Sequence, residues 1–315
     1  MANVVFIHGI ANKPEKKILH QLWLNALALN DGIHLGAEGI ESTMVYWADV
    51  LYESPKKEMA EHENNDSVVE PEDYIDMSWL NELKGQELDW AIKLQKQLGY
   101  SVESPDGTDD YCPSGEVIDE LETLDFERIP LPWWLKRRLM KILLKDVHHY
   151  LFNVEYSPRT DDTFSVQDEI RNRFIKALEQ ARKKEGPLIV VSHSMGTVIA
   201  YDCLTRDPRC PKIDSLITIG SPLGLDEIQD KLQPEWTREN GFPGTIMENW
   251  FNIYDRLDPV ASLDPNLSND YQKQGAEVIK DINEQNSGVW RHNISKYLMG
   301  AEFRAILSSE LKLEE

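Results

Sequence analysis

The sequence is poor in positive charge, in cysteine and in long apolar runs, and each shortage closes off a class of protein. Lys and Arg number 33 against 55 Asp and Glu, a formal charge of −22 at pH 7. So acidic a surface repels a phosphate backbone, which argues against nucleic acid as a partner. The three cysteines are Cys112, Cys203 and Cys210. No two stand at metal-ligand spacing, and an odd, sparse set suits a reducing compartment better than a disulfide framework. No apolar run reaches the roughly 20 residues that a membrane-spanning helix needs. The opening MANVVFIHG has neither a basic stretch nor a long apolar one. No secretory signal is therefore expected, and the cytoplasm is the expected location.

What is present is enough apolar material for a core: 41% of 315 residues. Val4–Ile7 is apolar on both faces, as a buried parallel strand requires. A helical pattern follows over 13–29, then a short strand over Thr43–Trp47. Residues 53–76 are dense in acids and read as a solvated excursion. Residues 78–98 are helical in spacing, and 101–115 are rich in turn residues. Gln167–Lys184 is amphipathic and closes at Gly186-Pro187. Strands are expected at Leu188–Val191, Ile213–Ile219 and Trp250–Tyr254, with a helix over Met195–Leu204. Apolar strands alternating with helices predict an α/β fold, a doubly wound, mostly parallel sheet with helices on both faces. One domain spanning 1–315 is expected, with about 50–155 as an inserted or elaborated helical region, or lid.

Residues 131–152 read LPWWLKRRLMKILLKDVHHYLF. Trp133 and Trp134 stand beside Lys136, Arg137, Arg138, Lys141 and Lys145 in an otherwise acidic chain. A basic helix with tryptophans can lie at a lipid surface. The plainer account is a helix whose apolar stripe covers the core while its cations answer the acidic loops.

Ser194 stands in LIVVSHSMGTVIAYDCL, after a buried strand and before a helix. Ser192 lies two before it and Gly196 two after. A tight strand-to-helix turn that holds a nucleophile needs small residues at both flanks. The helix start supplies N–H groups and a positive dipole end for a developing oxyanion. Ser192 competes as nucleophile, but no helix starts directly behind it. A plain turn or a phosphate-binding turn is the bland alternative.

A serine hydroxyl needs a base. With the order serine, acid, histidine, the base must follow Ser194, and of eight histidines only His292 does. Two acids, Asp255 and Asp258, close the last strand in WFNIYDRLDPVA. Asp258, in the Leu-Asp-Pro-Val turn, is preferred as the partner that orients His292; Asp255 is left to brace the turn. Oxyanion donors are expected from the N–H of Met195 and of Ile10, where Gly9 permits the necessary backbone.

The segments FIHGI at 6–10, SHSMG at 192–196, LDPV at 257–260 and WRHNIS at 290–295 resemble the α/β-hydrolase superfamily, in order and across nearly the whole chain. ITIGSPLGL at 217–225 is similar to a strand and active-site loop of its lipase-like members. Serine at 192, where the family most often has glycine, departs from the pattern. The resemblance implies Ser194 as nucleophile, Asp258 as acid, His292 as base, and Ile10 and Met195 as oxyanion donors. The implied activity is a lipase- or esterase-like serine hydrolase acting on a small-molecule or lipid-like ester, with no metal or organic cofactor. Acyltransferase, thioesterase and amidase activity, or a non-catalytic binding module, share the fold.

Overall fold

Residues 2–56, 78–97, 133–232, 237–288 and 290–313 are described by the structure, a computed structural model; the side chains of 78, 96, 97 and 133–140 are not among them. The chain runs β1 (Asn3–Ile7), α1 (Lys16–Ala28), β2 (Glu41–Val45), α2 (Ala48–Leu51), α3 (Gln86–Gln97) and α4 (Trp133–Leu151). It continues with β3 (Glu155–Arg159), β4 (Asp162–Ser165), α5 (Val166–Arg182), β5 (Leu188–His193), α6 (Met195–Arg206) and β6 (Ile213–Ile219). The last elements are α7 (Asp226–Leu232), β7 (Ile246–Tyr254), β8 (Lys280–Asn283), α8 (Ile294–Met299) and α9 (Ala301–Leu311).

Six strands form one sheet in the order β2-β1-β5-β6-β7-β8, and every pairing in it is parallel. The fold is therefore α/β. Period-two alternation splits the strand residues between two cores. Val5, Ile7, Val45 and Val190 face one core, with α4, α5 and α6. Val4, Phe6, Met44, Ile189 and Val191 face the other, with α1, α8 and α9. Helices thus cover both faces. Fully burying one large apolar side chain contributes roughly 1.5–3 kcal/mol, so strands apolar on both faces are anchored twice over.

The connections place the site. From β1 the chain passes through α1, on one face, to β2 at the sheet's edge. It then returns on the opposite face, through α5, to pair β5 with β1's other side. Ile7 is in register with Ser192, so residues 8–10 and 193–195 emerge side by side at the carboxyl end. Strand order reverses there, and in open α/β sheets such a switch point is where a crevice opens for a ligand.

Several elements differ from expectation. The helical pattern over 78–98 divides into a 3-10 turn at Ser78–Glu82 and α3, with Gly85 at φ +55° between them. β7 begins four residues early, β8 joins the sheet, and β3 and β4 make a separate antiparallel pair. The chain's last two helices, α8 and α9, meet at Gly300. In α4, Leu143, Leu144, Val147 and Tyr150 are buried in the core, as the plainer account of that helix has it. The side chains of Trp133, Trp134, Lys136, Arg137 and Arg138 lie outside the described residues, as do Cys112, most of the acidic excursion and the turn-rich 101–115 stretch. No described helix is long and apolar enough to cross a membrane.

Candidate active site

Ser194 sits at the turn from β5 into α6 with φ 53° and ψ −128°, a conformation rarely adopted by a residue with a side chain. Strain of this kind costs about 1–3 kcal/mol and persists only where the surroundings impose it. Here they do. The Ser194 N–H donates to the Ile219 carbonyl at 2.9 Å, and its own carbonyl accepts from the Thr197 hydroxyl at 2.7 Å. The Ser221 hydroxyl braces Thr197 in turn, at 2.7 Å. The need for small neighbours is visible. A Cβ on Gly196 would stand 2.7 Å from the carbonyl oxygens of Ile7 and His8. A Cβ on Gly9 would stand 2.5 Å from the Ser194 Cβ. Ser192 is spent within the sheet: it is buried and donates to the Ile217 carbonyl at 3.2 Å.

The loop after β1 is held by its histidine. The His8 Nδ1–H donates to the Gly9 carbonyl at 2.9 Å, and Nε2 accepts from the Trp47 N–H at 3.0 Å. The Trp47 indole N–H returns a bond to the His8 carbonyl at 2.9 Å, and the rings stack at 4.8 Å. Burial, aided by the charge of Lys13, lowers the His8 pKa to about 3, so the ring stays neutral. In a trans peptide the carbonyl and N–H point opposite ways. Holding the Gly9 carbonyl therefore also aims the Ile10 N–H. Among the described residues that N–H has no accepting partner. Ala11 follows at φ 71°, another strained position, with its N–H on the Asp146 carboxylate at 2.9 Å.

His292 lies in the loop before α8 and is buried. Its Nδ1–H donates to Asp258, 2.8 Å from Oδ1 and 2.9 Å from Oδ2. Asp258 also accepts from the N–H groups of Val260 (2.8 Å) and Ala261 (3.2 Å) and from the Tyr297 hydroxyl (2.7 Å). Burial alone would raise the carboxyl pKa. The neighbouring His292 and these donors outweigh it and hold Asp258 below its ordinary value. The tautomer follows: with Nδ1 protonated towards a carboxylate, Nε2 carries the lone pair.

Asp255 contacts other groups. It accepts from the N–H of Leu257 at 2.7 Å and of Asn286 at 2.6 Å, and from the Arg291 guanidinium at 3.2 Å. It braces both the turn and the loop that delivers His292. His193 completes that support: its Nε2–H donates to the His292 carbonyl at 3.0 Å, and the two rings lie 4.7 Å apart. Burial, then the neighbouring His292, pushes the His193 pKa far down. Sequence reasoning missed His193, Tyr297 and Asp146 as parts of this site. Only Tyr297, on the helix directly after His292, had a positional hint.

The structure thus brings His292 onto Asp258, and Ser194 beside the loop that carries Ile10. Among the described residues, two buried side-chain atoms here find no hydrogen-bond partner, Ser194 Oγ and His292 Nε2. Buried polar atoms are nearly always satisfied, so such orphans call for a reason. Among the described residues no group of three or more His, Cys, Asp or Glu is placed to hold a metal ion. The chain matches no protein-family model and no curated protein.

Proposed function

We propose that the chain is a serine hydrolase of the α/β-hydrolase type that cleaves carboxylic esters. The observation that carries this reading is the pair of unpartnered buried atoms, Ser194 Oγ and His292 Nε2, with the second already oriented by Asp258. In the reaction, Ser194 Oγ attacks the ester carbonyl carbon while His292 Nε2 takes its proton. The oxyanion is received by the N–H groups of Ile10 and Met195, the latter at the start of α6. The C–O bond breaks as the imidazolium returns the proton to the leaving alcohol. Water, deprotonated by His292, then releases the acid and restores the serine. Asp258 keeps its charge throughout and stabilises the imidazolium. Two unpartnered atoms that do not bond to each other fit a site without substrate, since such bonds often tighten only in the complex.

Acyl or lipid esters are the proposed substrate class, from the tryptophan-rich basic helix and the long segment at about 50–155. The cytoplasm remains the compartment that sparse thiols suit; Cys203 and Cys210 are both free and buried. Thioesterase, amidase and acyltransferase chemistry use the same parts, and a panel of esters, thioesters, amides and acyl acceptors sorts them.

The test is labelling with a fluorophosphonate probe and peptide mapping of the wild type, Ser194→Ala and His292→Ala. Labelling at Ser194 in the wild type, absent in both variants, is expected. A folded wild type that does not label would withdraw the catalytic reading in favour of a binding module.

A further inference from the structure

We infer that Asp146 is a positioning residue for the oxyanion-binding loop: its buried carboxylate holds the peptide after Ile10 and so sets the direction of the Ile10 N–H. The inference rests on the hydrolase reading above and names a part that reading did not contain.

Two peptide planes flank Ile10, and each is held by one side chain. The plane before it carries the Gly9 carbonyl, gripped by His8. The plane after it carries the Ala11 N–H, which donates to Asp146 Oδ2 at 2.9 Å. With both planes held, the dihedrals of Ile10 have little freedom, and the intervening N–H keeps one aim. The positive φ of Ala11 shows that the loop is not relaxed. Without its acceptor the Ala11 peptide would turn towards an ordinary conformation and carry Ile10 with it.

Nothing in the local sequence demands this carboxylate. Asp146 comes from α4, 135 residues away from Ala11 along the chain, and is wholly buried. A lone acid is rarely sealed in a core unless it is paired or hydrogen-bonded. Asp146 also accepts from the Tyr52 hydroxyl, 3.0 and 3.1 Å from its two oxygens. Among the described residues, the charged groups facing it are Lys145 on its own helix and Lys13 in the loop ahead of α1. Burial outweighs these and the two donors, and the pKa rises to about 6. The ionised form accepts from both donors at once. Protonation puts a hydrogen on one oxygen and weakens that double hold.

The measurements are the rate of fluorophosphonate labelling at Ser194 and p-nitrophenyl acetate hydrolysis from pH 4.5 to 8, on the wild type and three variants. Asp146→Ala is expected to slow labelling and lower kcat by about 10- to 100-fold, less than outright loss of an oxyanion donor, with KM changed little. Asp146→Asn, which keeps one acceptor for the Ala11 N–H, should recover most of that loss and should lack the component of the acid limb near pH 6. Tyr52→Phe removes a donor that favours the carboxylate, so its acid limb should move to higher pH. Should Asp146→Ala fail to fold, Asp146→Asn and Tyr52→Phe decide through their pH profiles. Acid limbs unchanged in both, or a folded Asp146→Ala with wild-type kcat, would overturn the inference while leaving a labelled Ser194 in place. A wild type that never labels removes the hydrolase reading and this inference with it.

Discussion

Asp258 receives four donors on one carboxylate, and the site's proton logic follows from that crowding. The Nδ1–H of His292 has one strong acceptor, so the imidazole cannot easily present the other tautomer. Asp258→Asn would keep the shape and lose the charge. On the proposed hydrolase reading, a fall of about 10⁴ in kcat is expected from the misassigned tautomer and the unstabilised imidazolium. Asp255→Asn should cost activity about tenfold at most, because it loosens the loop without touching the ring. Steady-state kinetics on the two variants would check the contrast; equal losses would argue against it. Some of this was legible in advance. Ser194 stood out because a strained elbow needs small residues at fixed offsets, and those are written in sequence. His292 stood out by elimination. His193, Tyr297 and Asp146 did not, because each acts through a bond to a residue distant in the chain or in another element. No local pattern records such a pairing.

At the scale of elements, helices α4, α5 and α6 are joined by a buried polar knot. Asp202, fully buried on α6, accepts from Arg171 of α5 at 2.7 and 2.8 Å and from the Tyr150 hydroxyl of α4 at 2.6 Å. Removing one partner of such a pair leaves the other charge stranded. Asp202→Ala should therefore destabilise the fold by about 3–5 kcal/mol, measured by urea unfolding. A loss below about 1 kcal/mol would show that Arg171 finds water instead. Helix α6 itself is buried on every side from Met195 to Leu204, so its sequence carries no polar face. Its apolar density and its place behind a strand made it readable as a helix. The elements that escaped notice were short or mixed. Strand β8 reads KDIN, with no apolar alternation to mark it, and its strand form comes from pairing with β7. The split of the 78–98 stretch turns on Gly85, whose positive φ a periodicity argument does not see.

For the whole molecule, buried histidines set the response to acid. His8 and His149 both have pKa values lowered to about 3, chiefly by burial; the charges of Lys13 and of His148 add to it respectively. In the unfolded chain each returns to about 6.5. Below that pH the unfolded state takes up protons that the folded state refuses, so stability falls as pH falls, down to about pH 3. At pH 5 the loss is about 2 kcal/mol for each. Asp146 acts in the opposite sense: its raised pKa lets the folded state bind a proton first, returning about 1 kcal/mol at pH 5. Asp264, which burial also raises to about 6, offsets in the same sense as Asp146, and His193, pushed far down by burial, adds to the histidine side; a net fall in stability from pH 7 to pH 5 is expected from urea titrations at the two values. No fall would mean that these rings open to solvent and titrate freely.

The pairing of β1 with β5 also carries a cost in time. Asn3 meets Leu188 across the sheet, so one edge of an apolar central strand has no partner until 185 further residues have been made. At about 5–20 residues per second that wait lasts roughly 10–40 s. Throughout it, β1 can pair with β2 but offers its other edge to any neighbouring chain. The nascent chain therefore carries an adhesive strand edge for more than half of its synthesis. The loop bearing Ile10 is made first, Ser194 follows the closing strand, and Asp258 and His292 come later still, so the parts of the candidate site meet only near the end of synthesis.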